Sequence, residues 1–181
     1  TKVSLRMPRT PLLSRPGTES VDPNPTRKGV DPMENSAVEI TNLLHRYAES
    51  MDAGDFKGCA ALFANAVIIL DRSPGAPPVD APTMLALWQS SVIIYDDGTP
   101  RTRHLVTNPI LAIDEESGTA TCRSTYTVFQ QVQGSELRPV ASGRYHDRFE
   151  RVNDLWRFSE RDFTLLDLVG DLSHHLTIGP S

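Results

Sequence analysis

Asp52, His104 and Tyr47 are the side chains of this sequence best suited to moving protons. They fall in two short blocks, RYAESMDAGDF at residues 46–56 and RTRHLVTNPI at 101–110. The first block closes an amphipathic helix with a carboxylate. The second sets an imidazole at the start of an apolar strand. A carboxylate that orients an imidazole fixes its tautomer and raises the basicity of the other ring nitrogen. With a phenol nearby, such a pair performs general acid–base chemistry without a cofactor. Asp52 has no structural task visible in the sequence. Asp55 already suits the cap of the next helix, and a carboxylate in a last turn opposes the helix dipole. His104 alone would read as an ordinary strand histidine, and Tyr47 lies on an apolar helix stripe where a core role is equally natural.

The elements that must position these groups follow from periodicity. Ser36 with Glu39 has the form of a capping box, so a helix is expected to start at Asn35 or Ser36. Ile40, Leu43, Leu44, Tyr47 and Met51 recur at three- and four-residue spacing and carry it to about Met51. Gly54 breaks it, and Asp55 caps a second helix through Phe63. AVIILD at 66–71 reads as a strand and residues 82–93 as a third helix. From residue 103 onward the pattern turns to β-structure, with strands over 103–113, 119–132, 139–152 and 155–166. Asn153–Asp154 marks a hairpin turn. DLVGDLSHHL at 167–176 reads as a closing helix. The expected fold is α+β, a cone-shaped α+β barrel. Three N-terminal helices pack on a strongly curved, mostly antiparallel sheet around an apolar pocket.

Composition narrows the function. The 181 residues suit one domain, and the formal net charge of -5 argues against nucleic acid as a partner. No apolar run nears the ~20 residues of a membrane span, so no membrane role is expected. Residues 1–35 hold six of the fourteen prolines and no apolar periodicity, the composition of a flexible extension. They contain no apolar stretch of the secretory type. Residues 36–181 form the domain. Cys59 and Cys122 read as reduced core residues, which points to the cytoplasm. There is no HExxH, HxH or paired CxxC, and the adjacent His174 and His175 would diverge on a helix, so no metal is expected. Neither a phosphate loop, GxSxG nor GxGxxG is present, and no cofactor is expected. Arg144, Arg148 and Arg151, interleaved with acids, read as a solvated strand face or a subunit contact.

Three passages carry a family resemblance over residues 36–176: Tyr47-x4-Asp52-x2-Asp55-Phe56, Arg101-Thr-Arg-His104, and Arg144-Tyr-x-Asp147-Arg-Phe149 followed by Leu155-Trp156-Arg-Phe158. Their order resembles the SnoaL-like branch of the nuclear-transport-factor-2-like superfamily, nearest in function to scytalone dehydratase and bile-acid 7α-dehydratase. The resemblance implies Asp52 as dyad acid, His104 as dyad base and Tyr47 as the assisting tyrosine of the bile-acid branch. Met51 stands where scytalone dehydratase has a tyrosine, and Gln130 near its second catalytic histidine. Gly143 and Tyr145 stand near its substrate-binding serine and asparagine. Met51, Phe129, Gln130 and Tyr145 are thus the expected substrate contacts. Phe129 and Tyr126 have opposite strand parity, so at most one faces the cavity. The resemblance implies a dehydratase-type lyase acting on a hydrophobic oxygenated ring compound of polyketide or steroid type. A ketosteroid-isomerase-like isomerase or polyketide cyclase is the enzymatic alternative. A noncatalytic lipophile binder, or a subunit like the β subunit of ring-hydroxylating dioxygenases, is the non-enzymatic one. It also implies a homo-oligomer, dimer or trimer.

Overall fold

The first helix, α1 (Pro32–Asp52), buries the stripe foreseen from its spacing: Ile40, Leu43, Leu44, Tyr47 and Met51 all face the core. This computed structural model describes residues 32–177, so the proline-rich extension lies outside the described residues save its last few. The helix begins earlier than the capping-box signal indicated. Pro32 opens it, at a position where a missing N–H costs nothing. Ser36 is instead buried within the helix, and the Asn35 amide donates to Glu39. Helix α2 (Phe56–Leu62) has the expected cap, Asp55 Oδ1 accepting from the Gly58 N–H at 2.8 Å. After β1 (Val67–Ile69), helix α3 (Ala81–Ser91) is capped by Asp80.

Four strands form the body of the sheet: β2 (Thr102–Asp114), β3 (Thr119–Gln130), β4 (Arg138–Val152) and β5 (Leu155–Asp162). Asn153 and Asp154 both take positive φ, 51° and 62°, in the turn between β4 and β5. The expected closing helix is absent. Leu166–Val169 form a sixth strand, β6, and the chain then runs through turns to residue 177. Unpaired edge groups on the first half of β4 explain this, because they give residues 166–169 a backbone partner that outweighs weak helical patterning.

The sheet order is β1-β5-β4-β3-β2, with β6 also on β4. β1 runs parallel to β5 and every other pairing is antiparallel. Extra residues interrupt the register in β2 after Thr107, in β4 at Val140, and in β5 at Ser159. Each bulge adds local twist, and together they curl the sheet around the helices. The core lies between α1–α3 and the inner sheet face and includes Cys59 and Cys122, buried and unpaired. Among the described residues no helix is long and apolar enough to cross a membrane.

Candidate functional site

Asp52 is the last residue of α1, and β2 starts beside it. Thr102 and His104, two residues apart, share the inner face of that strand, while Arg103 points outward. The carboxylate collects donors from both. Thr102 Oγ1 donates to Asp52 Oδ1 at 2.9 Å, and the His104 backbone N–H reaches Oδ2 at 2.8 Å. The His104 ring meets Oδ1 through Nδ1 at 2.6 Å. The Arg103 guanidinium, largely exposed, stands 3.9 Å from Oδ2.

Burial works to raise the Asp52 pKa. The hydrogen bonds and charge of His104, with the Thr102 hydroxyl, overcome this and hold the carboxyl below its ordinary value. An ionised carboxylate only accepts, so Nδ1 donates to it, and in the neutral form of the ring the lone pair then lies on Nε2. Nε2 bonds to none of the described residues. The imidazole is oriented, polarised and nearly buried, its side chain 6% exposed.

Tyr47 packs edge-on to His104, ring centroids 6.3 Å apart, and edge-on to Tyr145 at 6.0 Å. Tyr145 stacks on Tyr126 at 4.3 Å. Burial pushes the Tyr47 and Tyr145 hydroxyls well above the usual phenol range, so both are protonated donors. Tyr126 takes the inner face of β3, and Phe129 the outer face beside Arg103. Phe129 with Asp52, Arg101, Gln131 and Leu137 lines an outward hollow of about 320 Å³. Met51 is core. Gln130 is buried and committed to backbone, its Nε2 donating to Pro100 O at 3.0 Å and His174 O at 2.9 Å. It ties the C-terminal segment to the start of β2. The structure therefore brings Asp52, His104, Tyr47 and Tyr145 together, and leaves Met51, Phe129 and Gln130 in other work.

The open apolar chamber expected behind the dyad is filled with rings. Phe63, Trp88 and Phe163 close on Tyr47 with centroids at 5.7, 6.3 and 6.1 Å. At their centre is a group that composition did not reveal, the fully buried Arg161. Its guanidinium lies 4.2 Å from the Tyr145 ring centre and 4.5 Å from that of Tyr47. Asp147, also fully buried, receives Nε and Nη2 at 2.7 and 2.8 Å. Asp147 was legible by parity with Tyr145. Arg161 was not, because strict alternation from Trp156 and Phe158 would place Glu160 inward. The extra residue at Ser159 reverses that parity. Arg144, Arg148 and Arg151 instead pair with Asp167, Glu160 and Glu115. Among the described residues no three His, Cys, Asp or Glu side chains converge as a metal site.

Three helices packed on a curled, mixed six-stranded sheet form an NTF2-like fold. The SnoaL-like domain family matches residues 35–162, and the chain belongs to that family. No curated protein matches it. Solved structures from Novosphingobium aromaticivorans share the fold. One is a proposed scytalone dehydratase, 16% identical over 77% of this chain and 89% of its own, with TM-score 0.58. Another is the β subunit of a proposed aromatic-ring-hydroxylating dioxygenase, 20% identical over 77% and 94%, also with TM-score 0.58. A third, an NTF2-like protein with a cystatin-like fold, is 20% identical over 76% and 91%, with TM-score 0.55.

Proposed function

We propose that this protein is a cofactor-independent, dehydratase-type lyase acting on a hydrophobic β-hydroxy ring ketone. The observation that carries this reading is the 2.6 Å contact between ionised Asp52 and His104 Nδ1, which orients the ring and leaves Nε2 without a hydrogen-bond partner among the described residues. Nε2 takes the proton from the carbon next to the carbonyl, and the C–H electrons form an enolate. The enolate expels the neighbouring hydroxyl as a C=C bond forms. The imidazolium returns its proton to that hydroxyl, which leaves as water. Asp52 stabilises the imidazolium, and the protonated Tyr47 hydroxyl donates to the carbonyl or the leaving group. A positioned acid–base group of this kind supplies on the order of 10²–10⁴ in rate. Binding requires the rings to part. Phe163, half-buried on the loop after β5, is the least buried of Phe63, Trp88 and Phe163. Met51, Phe129 and Gln130 form no part of this ligand shell, and Tyr145 stays at its wall.

The test is conversion of 3-hydroxy-1-tetralone to 1-naphthol, followed by fluorescence. Turnover by the wild type and its loss in His104→Ala support the reading. Full turnover in His104→Ala sinks it. The filled interior favours a second reading, a noncatalytic subunit of the dioxygenase β type. That reading gains if no ring ketone is bound or converted. In either reading, Leu105, Ile110 and Leu168 on the outer sheet face are exposed apolar side chains suited to contact between copies, as a dimer or trimer.

A further inference from the structure

The outer face of the sheet carries a concentration of positive charge that the net charge of -5 conceals. Arg123 on β3 stands directly opposite His146 on β4, and Thr121, two residues along, stands opposite Arg148. Side chains two apart on a strand share a face, so Arg123, His146 and Arg148 project together. Arg72, from the loop after β1, joins them, and the four line one hollow of about 300 Å³.

The acids around this hollow leave it cationic. Asp147 borders it from the inner face, where it is fully buried and holds Arg161. Asp162, also fully buried, accepts from Arg72 Nε at 2.8 Å, yet 57% of the Arg72 side chain stays exposed. Glu160 meets Arg148 Nε at 3.4 Å, a long contact between groups open to solvent, which holds the guanidinium only weakly. Arg123 is exposed and has no carboxylate partner among the described residues. Like charges on neighbouring rungs of a sheet repel. Such a cluster favours an anion with two negative charges and several acceptor oxygens, and a phosphate monoester supplies both to guanidinium donors.

A second hollow, of about 480 Å³, adjoins the first and shares Ala112, Thr121 and Arg148 with it. Its lining is of another kind, with Thr121, Ser159 and the Asp114 carboxylate around the small Ala112. Hydroxyls both donate and accept, and a carboxylate accepts from hydroxyls while repelling a phosphate. One hollow therefore selects negative charge and its neighbour selects hydroxyl groups.

We propose that this outer face is a binding site for a small sugar phosphate. Arg72, Arg123, His146 and Arg148 hold the phosphate, and Thr121, Ser159 and Asp114 bond the sugar hydroxyls. The site lies on the opposite face of the sheet from His104 and does not depend on the lyase reading.

The experiment is a titration of the full chain, labelled with ¹⁵N, with glucose 6-phosphate, inorganic phosphate and glucose in turn. Glucose 6-phosphate should bind with a Kd below about 1 mM, and about tenfold tighter than either of the others. The backbone amides of Thr121, Arg123 and His146 should shift while that of His104 stays still. Arg123→Gln removes a side chain with no ion pair to lose, and should weaken glucose 6-phosphate and inorganic phosphate about tenfold alike. Ser159→Ala should weaken glucose 6-phosphate alone, and added salt should weaken both phosphates. If inorganic phosphate binds as tightly as the sugar phosphate, the hollow is an anion site only and the proposal is overturned. It is overturned equally if no amide on this face shifts to saturation, or if Arg123→Gln binds like the wild type.

Discussion

Replacing Asp52 by Asn keeps the shape of the dyad and reverses one end of its hydrogen bonding. The His104 backbone N–H cannot change its role; it reaches Oδ2 at 2.8 Å and Oδ1 at 3.1 Å, and an amide oxygen at the Oδ2 position keeps the shorter bond. The amide N–H₂ then occupies the Oδ1 position, 2.6 Å from Nδ1 and 2.9 Å from Thr102 Oγ1. Thr102 can rotate to accept. His104 can accept only by moving its proton to Nε2, the atom proposed as base. Charge-assisted bonds worth roughly 1.5–3 kcal/mol each become neutral ones worth about 0.5–1.5, a loss of about 2–3 kcal/mol for the set. Removing a carboxylate from a helix C-terminus returns about 0.3–1 kcal/mol. The net cost is about 1–3 kcal/mol at neutral pH. The wild-type carboxyl is held below its ordinary value of 3.8, so its contribution is complete above that pH and is lost as pH falls through the folded value. The stabilities of the two proteins should therefore converge in acid. Urea unfolding at several pH values measures this, and ¹⁵N spectra of the ring report the tautomer. A wrong tautomer should lower turnover of 3-hydroxy-1-tetralone by up to about 10⁴-fold. An Asn variant with wild-type stability and a proton still on Nδ1 would refute the reasoning.

Three further outcomes follow from the same structure. Arg161→Met should cost about 3–5 kcal/mol, because it strands Asp147 as a buried charge. Arg161→Met with Asp147→Leu should recover much of that, and a single variant that unfolds like the wild type would contradict the buried pair. Gly143→Ala should destabilise by about 1–3 kcal/mol and disturb the Tyr126–Tyr145 stack in near-ultraviolet circular dichroism. A Cβ there would sit 2.3 Å from Leu165 O and 2.8 Å from the Tyr126 hydroxyl. His175 falls from 6.5 to about 4 on folding, so between those pH values the unfolded chain binds the extra proton. Wild-type stability should decline by up to roughly 3 kcal/mol as pH falls across that window. His175→Asn should flatten the decline, and an unchanged acid limb would count against the burial of this ring.

The sequence by itself determined the elements whose signals are local. The spacing from Ile40 to Met51 set the buried face of α1, Asp55 its successor's cap, and Asn153–Asp154 the turn into β5. The pairing of Asp52 with His104 was legible only as what the family resemblance implied, and the fold brings the two side chains within 2.6 Å. Tertiary structure decided what depends on partners distant in the chain. Residues 166–169 became a strand because β4 offered an edge, and the proposed closing helix was lost to it. Arg161 entered the core because one bulge at Ser159 reversed the alternation, and Asp147 stood opposite to receive it. Phe129 turned outward, Gln130 became a backbone tie, and aromatic rings filled the chamber, none of which strand parity could specify alone. Local patterning fixes which face a residue takes within one element. Register, bulges and the path of the last segment fix which faces meet, and those are settled only when the whole sheet closes.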